Sequence, residues 1–177
     1  LSLLREGEKV EEGNPLDQLC TSIVGVKIST KLPDLLAAGL NSVFNQLPLV
    51  VCKYVTSDLI QAFKKYQEDI SPDIIHLDLL PLARLNKFVL NGVPTILNQH
   101  NVESELINQK IEVVDSLLEK FIYKREYKLL ANFESKACAD VDAVLACSDD
   151  DVDILKSMGA AQTHCISNGV DASNFLP

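Results

Sequence analysis

Pro94-Thr95-Ile96-Leu97-Asn98-Gln99-His100-Asn101-Val102-Glu103-Ser104 is a short apolar run that ends abruptly in polar groups. Bounded by Gly92-Val93-Pro94 on one side and polar residues on the other, it reads as a buried strand of a parallel sheet, since such strands are covered on both faces. Ligands of open α/β sheets bind beyond the carboxyl ends of the strands, which puts His100, Asn101 and Glu103 where a substrate would meet donors and acceptors together. A second reading stands beside this one, in which His100 and Asn101 only satisfy the backbone of a loop.

Upstream, Pro72-Asp73 leads into Ile74-Ile75-His76-Leu77-Asp78, another strand with polar residues at its end. His76 and Asp78 are two apart and share a face. They either line a cleft beside His100 or are hydrogen-bonded at the sheet edge. Residues 82–90 are expected to form the crossover helix, ended by Asn91-Gly92, so that strand, helix and strand make a parallel, right-handed unit. Further upstream, Ser57 is the expected cap of a helix with an apolar stripe of Leu59, Ile60, Phe63 and Tyr66. From Leu35 to Cys52 there is no charge at all, and Leu32, Leu35, Leu36, Leu40, Val43 and Phe44 recur at helical spacing. That stretch is expected as core; its alternative is an exposed apolar surface for a lipid-like ligand or a membrane. Leu1-Ser2-Leu3-Leu4 reads as a strand already under way, residues 5–15 as a loop, Leu16-Asp17-Gln18-Leu19-Cys20 as a helical turn, and residues 23–28 as a strand.

Downstream of Glu103 a polar helical segment precedes a long helix over residues 117–139. Leu118, Phe121, Ile122, Leu129, Leu130 and Phe133 are its expected buried stripe, and Lys120, Lys124, Arg125 and Lys128 give it a basic flank. The flank either holds an anionic ligand or pairs with Glu119, Glu126 and Glu134. Asp142-Ala143-Val144-Leu145-Ala146-Cys147-Ser148 is a strand ending in a cap, and Ser148 begins a helix that runs to Gly159 with Asp149, Asp150 and Asp151 in its first turn. Those carboxylates satisfy the positive helix end and would repel a phosphate there. A last strand, His164-Cys165-Ile166-Ser167, is followed by the turn Asn168-Gly169-Val170-Asp171, with Phe175 and Pro177 at the terminus. Strands alternating with helices imply an α/β, Rossmann-like fold with a mostly parallel sheet covered on both faces.

Length and composition narrow the function. The 177 residues suit one well-cored domain, and 47% hydrophobic against 23% charged residues is ordinary globular composition. With 25 acidic residues against 16 basic, the net charge of -9 repels a phosphate backbone, which argues against nucleic acid as a partner. No apolar run approaches the roughly 20 residues of a membrane helix and no basic-then-apolar leader opens the chain, so a cytoplasmic protein is the expectation. Cys20, Cys52, Cys138, Cys147 and Cys165 are scattered and odd in number, which points to small buried thiols rather than disulfides. His76, His100 and His164 are isolated from one another, with no Cys or His spacing of the kind zinc requires, so no metal site is expected; no cofactor is expected either.

Four stretches taken together carry a resemblance: Asp73 to Asp78 (DIIHLD), Gln99 to Ser104 (QHNVES), Phe133-Glu134 with Asp142 to Ser148 (DAVLACS), and Asn168 to Asp171 (NGVD). In this order and spacing they resemble the N-terminal domain of retaining glycosyltransferases of family four, which have two Rossmann-like domains (the GT-B architecture). The resemblance implies transfer of a sugar from a nucleotide-sugar donor to a saccharide or glycolipid acceptor, typically in bacterial polysaccharide biosynthesis, without metal. It makes His100 the cleft histidine facing the donor sugar or reacting region. Asn101 and Glu103 complete that motif, and Asp78 and Ser148 match positions at neighbouring strand ends. Residues 1–177 then form a single acceptor-side domain, a fragment that lacks its first strand and glycine-rich loop. The C-terminal nucleotide-sugar domain is a missing partner, without which the fragment is inactive; peripheral membrane contact fits a glycolipid acceptor. Two other classes compete with this reading, a non-catalytic flavodoxin-like binding module and a nucleotide-sugar epimerase-like domain.

Overall fold

The computed structural model describes residues 1–4, 8–10, 18–29, 31–90 and 92–169. Most of the loop expected over 5–15, the start of the turn at Leu16, and Val170, Asp171, Phe175 and Pro177 lie outside the described residues. The fold is α/β, with parallel sheets flanked by helices, and it divides into two compact units. One comprises Leu1–Asp73 and Arg84–Val93, the other Ile74–Ala83 and Pro94–Pro177.

In the first unit, β1 (Ser2–Leu4) and β2 (Gly25–Lys27) pair in parallel, with Ser2 opposite Gly25. A Cβ at Gly25 would come within 2.2 Å of Leu4 Cδ1, so this position is held by the one residue that lets the two strands close. The ladder is shorter than the strand expected over 23–28, although Val24 and Ile28 still exchange backbone hydrogen bonds with Ser2 and Leu4. Three helices follow: α1 (Leu32–Asn45), α2 (Leu49–Tyr54) and α3 (Ser57–Ile70). The cap of α3 is Thr56 and not Ser57. Thr56 has extended backbone, and its Oγ1 accepts from the Leu59 amide at 3.3 Å, whereas Ser57 is already inside the first turn. The buried stripe of α3 is Leu59, Phe63 and Gln67, at i, i+4 spacing. Gln67 is buried because its amide is fully used: Nε2 donates to the carbonyls of Phe63 and Phe88, and Oε1 accepts from the Leu90 amide.

The expectation that residues 35–52 are core fails for α1. That helix buries only Ala38 and Ser42, while Leu32, Leu36, Leu40, Val43 and Phe44 are exposed, Phe44 to 81%. Helical spacing marks an apolar face but does not say what covers it, and here the small residues Ala38 and Ser42 face the core while the large ones face out. Val51 and Cys52 of α2 are the part of the stretch that is core.

The second unit is built on four parallel strands in the order β3 (Ile75–Asp78), β4 (Thr95–Gln99), β5 (Ala143–Ala146) and β6 (Thr163–Cys165). The central strand β4 buries Thr95, Leu97 and Gln99. Asp142 locks the start of β5 to that of β4, its Oδ2 accepting from the Thr95 amide at 2.7 Å while its own amide donates to the Thr95 carbonyl. Between β3 and β4 the expected α-helix is replaced by 3-10 turns over Leu80–Phe88, a run that crosses from one unit to the other. Leu80 and Ala83, three apart, bury the same side of a three-residue turn. Then come α4 (Glu103–Val113), α5 (Leu117–Asp140) and α6 (Asp149–Ser157), with α4 and α5 packed together as a hairpin. Gly159, with φ of 109°, closes α6 in the left-handed region as expected.

The long helix α5 has the expected length but not the expected stripe. Leu130, Glu134, Ala137 and Cys138 are buried, whereas Leu117, Leu118, Phe121 and Ile122 stand exposed, Leu117 to 84%. Arg125 pairs with Glu126 on this helix, but Glu134 does not join the basic flank. Of the five cysteines, Cys52 and Cys138 are buried; all five are free thiols, with Cys20 and Cys165 exposed. Among the described residues no helix is long and apolar enough to cross a membrane.

Candidate functional site

Because the four strands of the second unit are parallel, Asp78, His100 and Ser148 all lie at the carboxyl ends of adjacent strands. Register brings Asp78 directly opposite Asn98, and the pleat puts Asn98 on the same face as His100, two residues on. Asp78 Oδ1 accepts from Asn98 Nδ2 at 2.7 Å and lies 3.0 Å from His100 Nε2. A carboxylate at that distance requires the proton on Nε2, so the 3.5 Å approach of Asn98 Nδ2 to the same nitrogen is donor against donor and not a second hydrogen bond. In neutral His100, Nδ1 is then the nitrogen with a free lone pair, and it has no partner among the described residues.

Asp78 is held below the ordinary aspartate value. Partial burial works to raise it, but hydrogen bonds from Asn98 and His100, together with the charges of His100 and His76, outweigh that. The next residue, Leu79, has φ of 136°, a conformation that favours glycine and costs a leucine about 1–3 kcal/mol. Backbone strain therefore sits immediately beside the carboxylate that orients His100. The cluster is open to solvent, with the His100 side chain 38% exposed, so a ligand can reach the imidazole without rearrangement of the fold.

The other residues singled out in the sequence are placed differently. Asn101 is exposed at the bend after β4, and Glu103 is the first residue of α4. Ser148 caps α6: its Oγ accepts from the Asp151 amide and donates to Asp151 Oδ2 at 2.7 Å, which leaves it no further proton for a ligand. Among the described residues no group of three His, Cys, Asp or Glu could hold a metal ion.

Two contributors escaped sequence reasoning. Asn98 was legible by the same two-residue rule that joins His76 to Asp78, once the register was known. Glu134 was not. It is completely buried on α5, and its two carboxylate oxygens accept from the amides of Glu103 at 2.9 Å and Ser104 at 3.1 Å. The residue before α4 is Val102, whose side chain cannot cap, so Glu134 caps α4 from a different helix and fixes the segment that follows His100. Burial pushes Glu134 above the ordinary glutamate value, against the pull of its hydrogen bonds to Ser104 and Glu103. The same burial, with the charge of Glu134 nearby, pushes the Cys138 thiol up to about 12, so it stays protonated; the Gln99 amide, 3.4 Å from its sulfur, only eases this.

With this geometry in place, comparison with protein families gives a match to the model described as Glycosyltransferase Family 4 over residues 41–174. Those residues include the whole of the strand-end cluster. No curated protein matches the chain significantly.

Proposed function

From the chain's membership of glycosyltransferase family 4, with three quarters of its length inside the family match, we propose that it is the acceptor-side, N-terminal domain of a retaining glycosyltransferase. The reaction moves a sugar from a nucleotide-sugar donor to a saccharide or glycolipid acceptor, in the building of a polysaccharide, and a second domain supplies most contacts to the nucleotide. The observation that carries this reading is the Asp78–Asn98–His100 cluster at the carboxyl end of the parallel sheet. Asp78 orients the ring of His100 and balances positive charge on it. Neutral His100 offers Nδ1 as an acceptor for a sugar hydroxyl; protonated, the same nitrogen donates to oxygen on which charge develops. Asn101 and Glu103 border the same strand end, and the contribution of Ser148 is to fix the start of α6.

The test is His100→Ala in the transferase that carries this domain. Turnover should fall by roughly 10²- to 10³-fold, more than substrate binding weakens, as for the loss of one well-placed transition-state hydrogen bond. Near-normal turnover per folded molecule would remove His100 from the site. Retention is checked separately, by the anomeric configuration of the product.

A glycolipid acceptor is favoured by one observation, the exposed apolar face of α1 within a stretch that carries no charge from Leu35 to Cys52. On this reading the protein works at a membrane surface on its cytoplasmic side. Sedimentation with lipid vesicles should be lost when Leu36 and Phe44 are both changed to Glu; vesicle binding that survives this double change would end the reading.

A further inference from the structure

Glu134 is a costly way to cap a helix. It is completely buried, and among the described residues no lysine, arginine or histidine pairs with it. Taking a carboxylate out of water without a cation costs stability, whereas a serine or threonine as the cap residue supplies such a bond from a short neutral side chain. What Glu134 adds over a local cap is a fixed point on another element.

α5 holds both ends of the turn that carries His100. Before the turn, the buried Gln99 donates from Nε2 to Cys138 Sγ at 3.4 Å; after it, the amides of Glu103 and Ser104 donate to Glu134. Glu134 and Cys138 are four residues apart, so the two anchors lie one turn apart on one face of α5. Thiol sulfur is a weak acceptor, and the stronger anchor is the pair of charge-assisted bonds to Glu134. Val102, between the anchors in the chain, is buried, which leaves His100 and Asn101 as the residues of the turn that reach the surface. The 3.0 Å approach of His100 Nε2 to Asp78 depends on where this turn sits, because a hydrogen bond weakens steeply with misplacement.

We propose that Glu134 is a positioning residue of the transfer reaction: by holding the amides of Glu103 and Ser104 it fixes the turn that aims His100, and it acts on turnover through His100 while touching no substrate. The kinetic consequence rests on the transferase reading; the mechanical link from Glu134 to His100 does not.

The experiment therefore has two arms, kinetics on the transferase that carries this domain and NMR of the His100 ring on the chain. Glu134→Gln should lower kcat per folded molecule by about 10- to 100-fold with KM little changed, the scale of a small misplacement of a reacting group. In a His100→Ala background the same change should cost turnover less than about threefold, because no ring is left to aim. On the chain, the His100 ring shifts in Glu134→Gln should move from their wild-type values towards those of Asp78→Ala, in which the contact is removed. Circular dichroism gives the folded fraction of each variant. Should Glu134→Gln unfold, Glu134→Asp takes its place: it keeps the charge but falls one methylene short of the amides, and it should show the same dependence on His100. A cap that serves stability alone predicts wild-type kcat per folded molecule and wild-type ring shifts, and that result overturns the proposal. Equal fold losses in the wild-type and His100→Ala backgrounds overturn it too. The two failures separate. Near-normal turnover of His100→Ala ends the transferase reading and the kinetic claim with it, whereas a large loss in His100→Ala beside a normal Glu134 variant ends the proposal alone.

Discussion

Asp78 sets the chemistry of its neighbours, because one oxygen takes protons from both Asn98 and His100. Its folded value is lowered, so it contributes stability that is fully present above the ordinary aspartate value of 3.8 and is lost as pH falls through the lower folded value. Urea unfolding of wild type between pH 6 and 3 should accordingly show a loss below about pH 4 that Asp78→Asn lacks. At neutral pH the same substitution should cost no more than about 1 kcal/mol, since the pair is solvent-exposed. Leu79 gives a sharper test of strain. Leucine to glycine normally destabilises, but at φ of 136° the relief of about 1–3 kcal/mol offsets the entropy of the freer unfolded chain, so Leu79→Gly should leave the melting temperature unchanged or raise it. A clear fall in melting temperature would mean that this backbone is not strained. At this scale His100 and Asp78 were legible because polar residues ending an apolar run stand out. Asn98 was hidden within the run, and its role depends on a strand register that no local pattern specifies.

Among the elements, the hairpin of α4 and α5 shows where periodicity stops being informative. The length of α5 was readable from its pattern, and Ser148 and Gly159 marked the two ends of α6 by cap chemistry alone. Which half of the α5 stripe is covered was not readable, because burial is a property of the partner: Leu130, Ala137 and Cys138 are buried while the N-terminal half, from Leu117 to Ile122, is not. Glu134 was misplaced for a related reason. A glutamate six to fourteen residues after a run of lysines and arginines on one helix looks like half of a surface pair, and only tertiary contact shows it capping another helix. Glu134→Gln keeps the shape but points an amide NH₂ at backbone N–H groups, so it should destabilise by about 1–3 kcal/mol in chemical unfolding. Its pH signature has the opposite sign to that of Asp78. With the folded value raised, the native state holds its proton longer, and stability declines as pH rises from the ordinary glutamate value of 4.5 through the higher folded one. That decline should be absent from Glu134→Gln, and its persistence there would assign it to another group.

Over the whole molecule, alternating strands and helices and the ordered set of four motifs were sufficient for the α/β class and for the family, and family membership now takes precedence over the flavodoxin-like and epimerase-like alternatives. The distribution of apolar surface was not legible, since composition counts leucines without placing them. With a net charge of -9, self-repulsion should oppose association through the exposed faces of α1 and the start of α5 at neutral pH. Near the sequence pI of about 4.7 that repulsion vanishes while the apolar faces remain, so light scattering should rise steeply there. The double variant Phe44→Glu, Phe121→Glu should be folded and within about 1 kcal/mol of wild type, because both rings are exposed and neither fills a cavity. It should also scatter less than wild type when the two are compared at equal distance above their own isoelectric points, which removes the trivial effect of added charge. A large stability loss would show that these rings are packed in solution. Unchanged scattering would show that association near the isoelectric point proceeds through another surface.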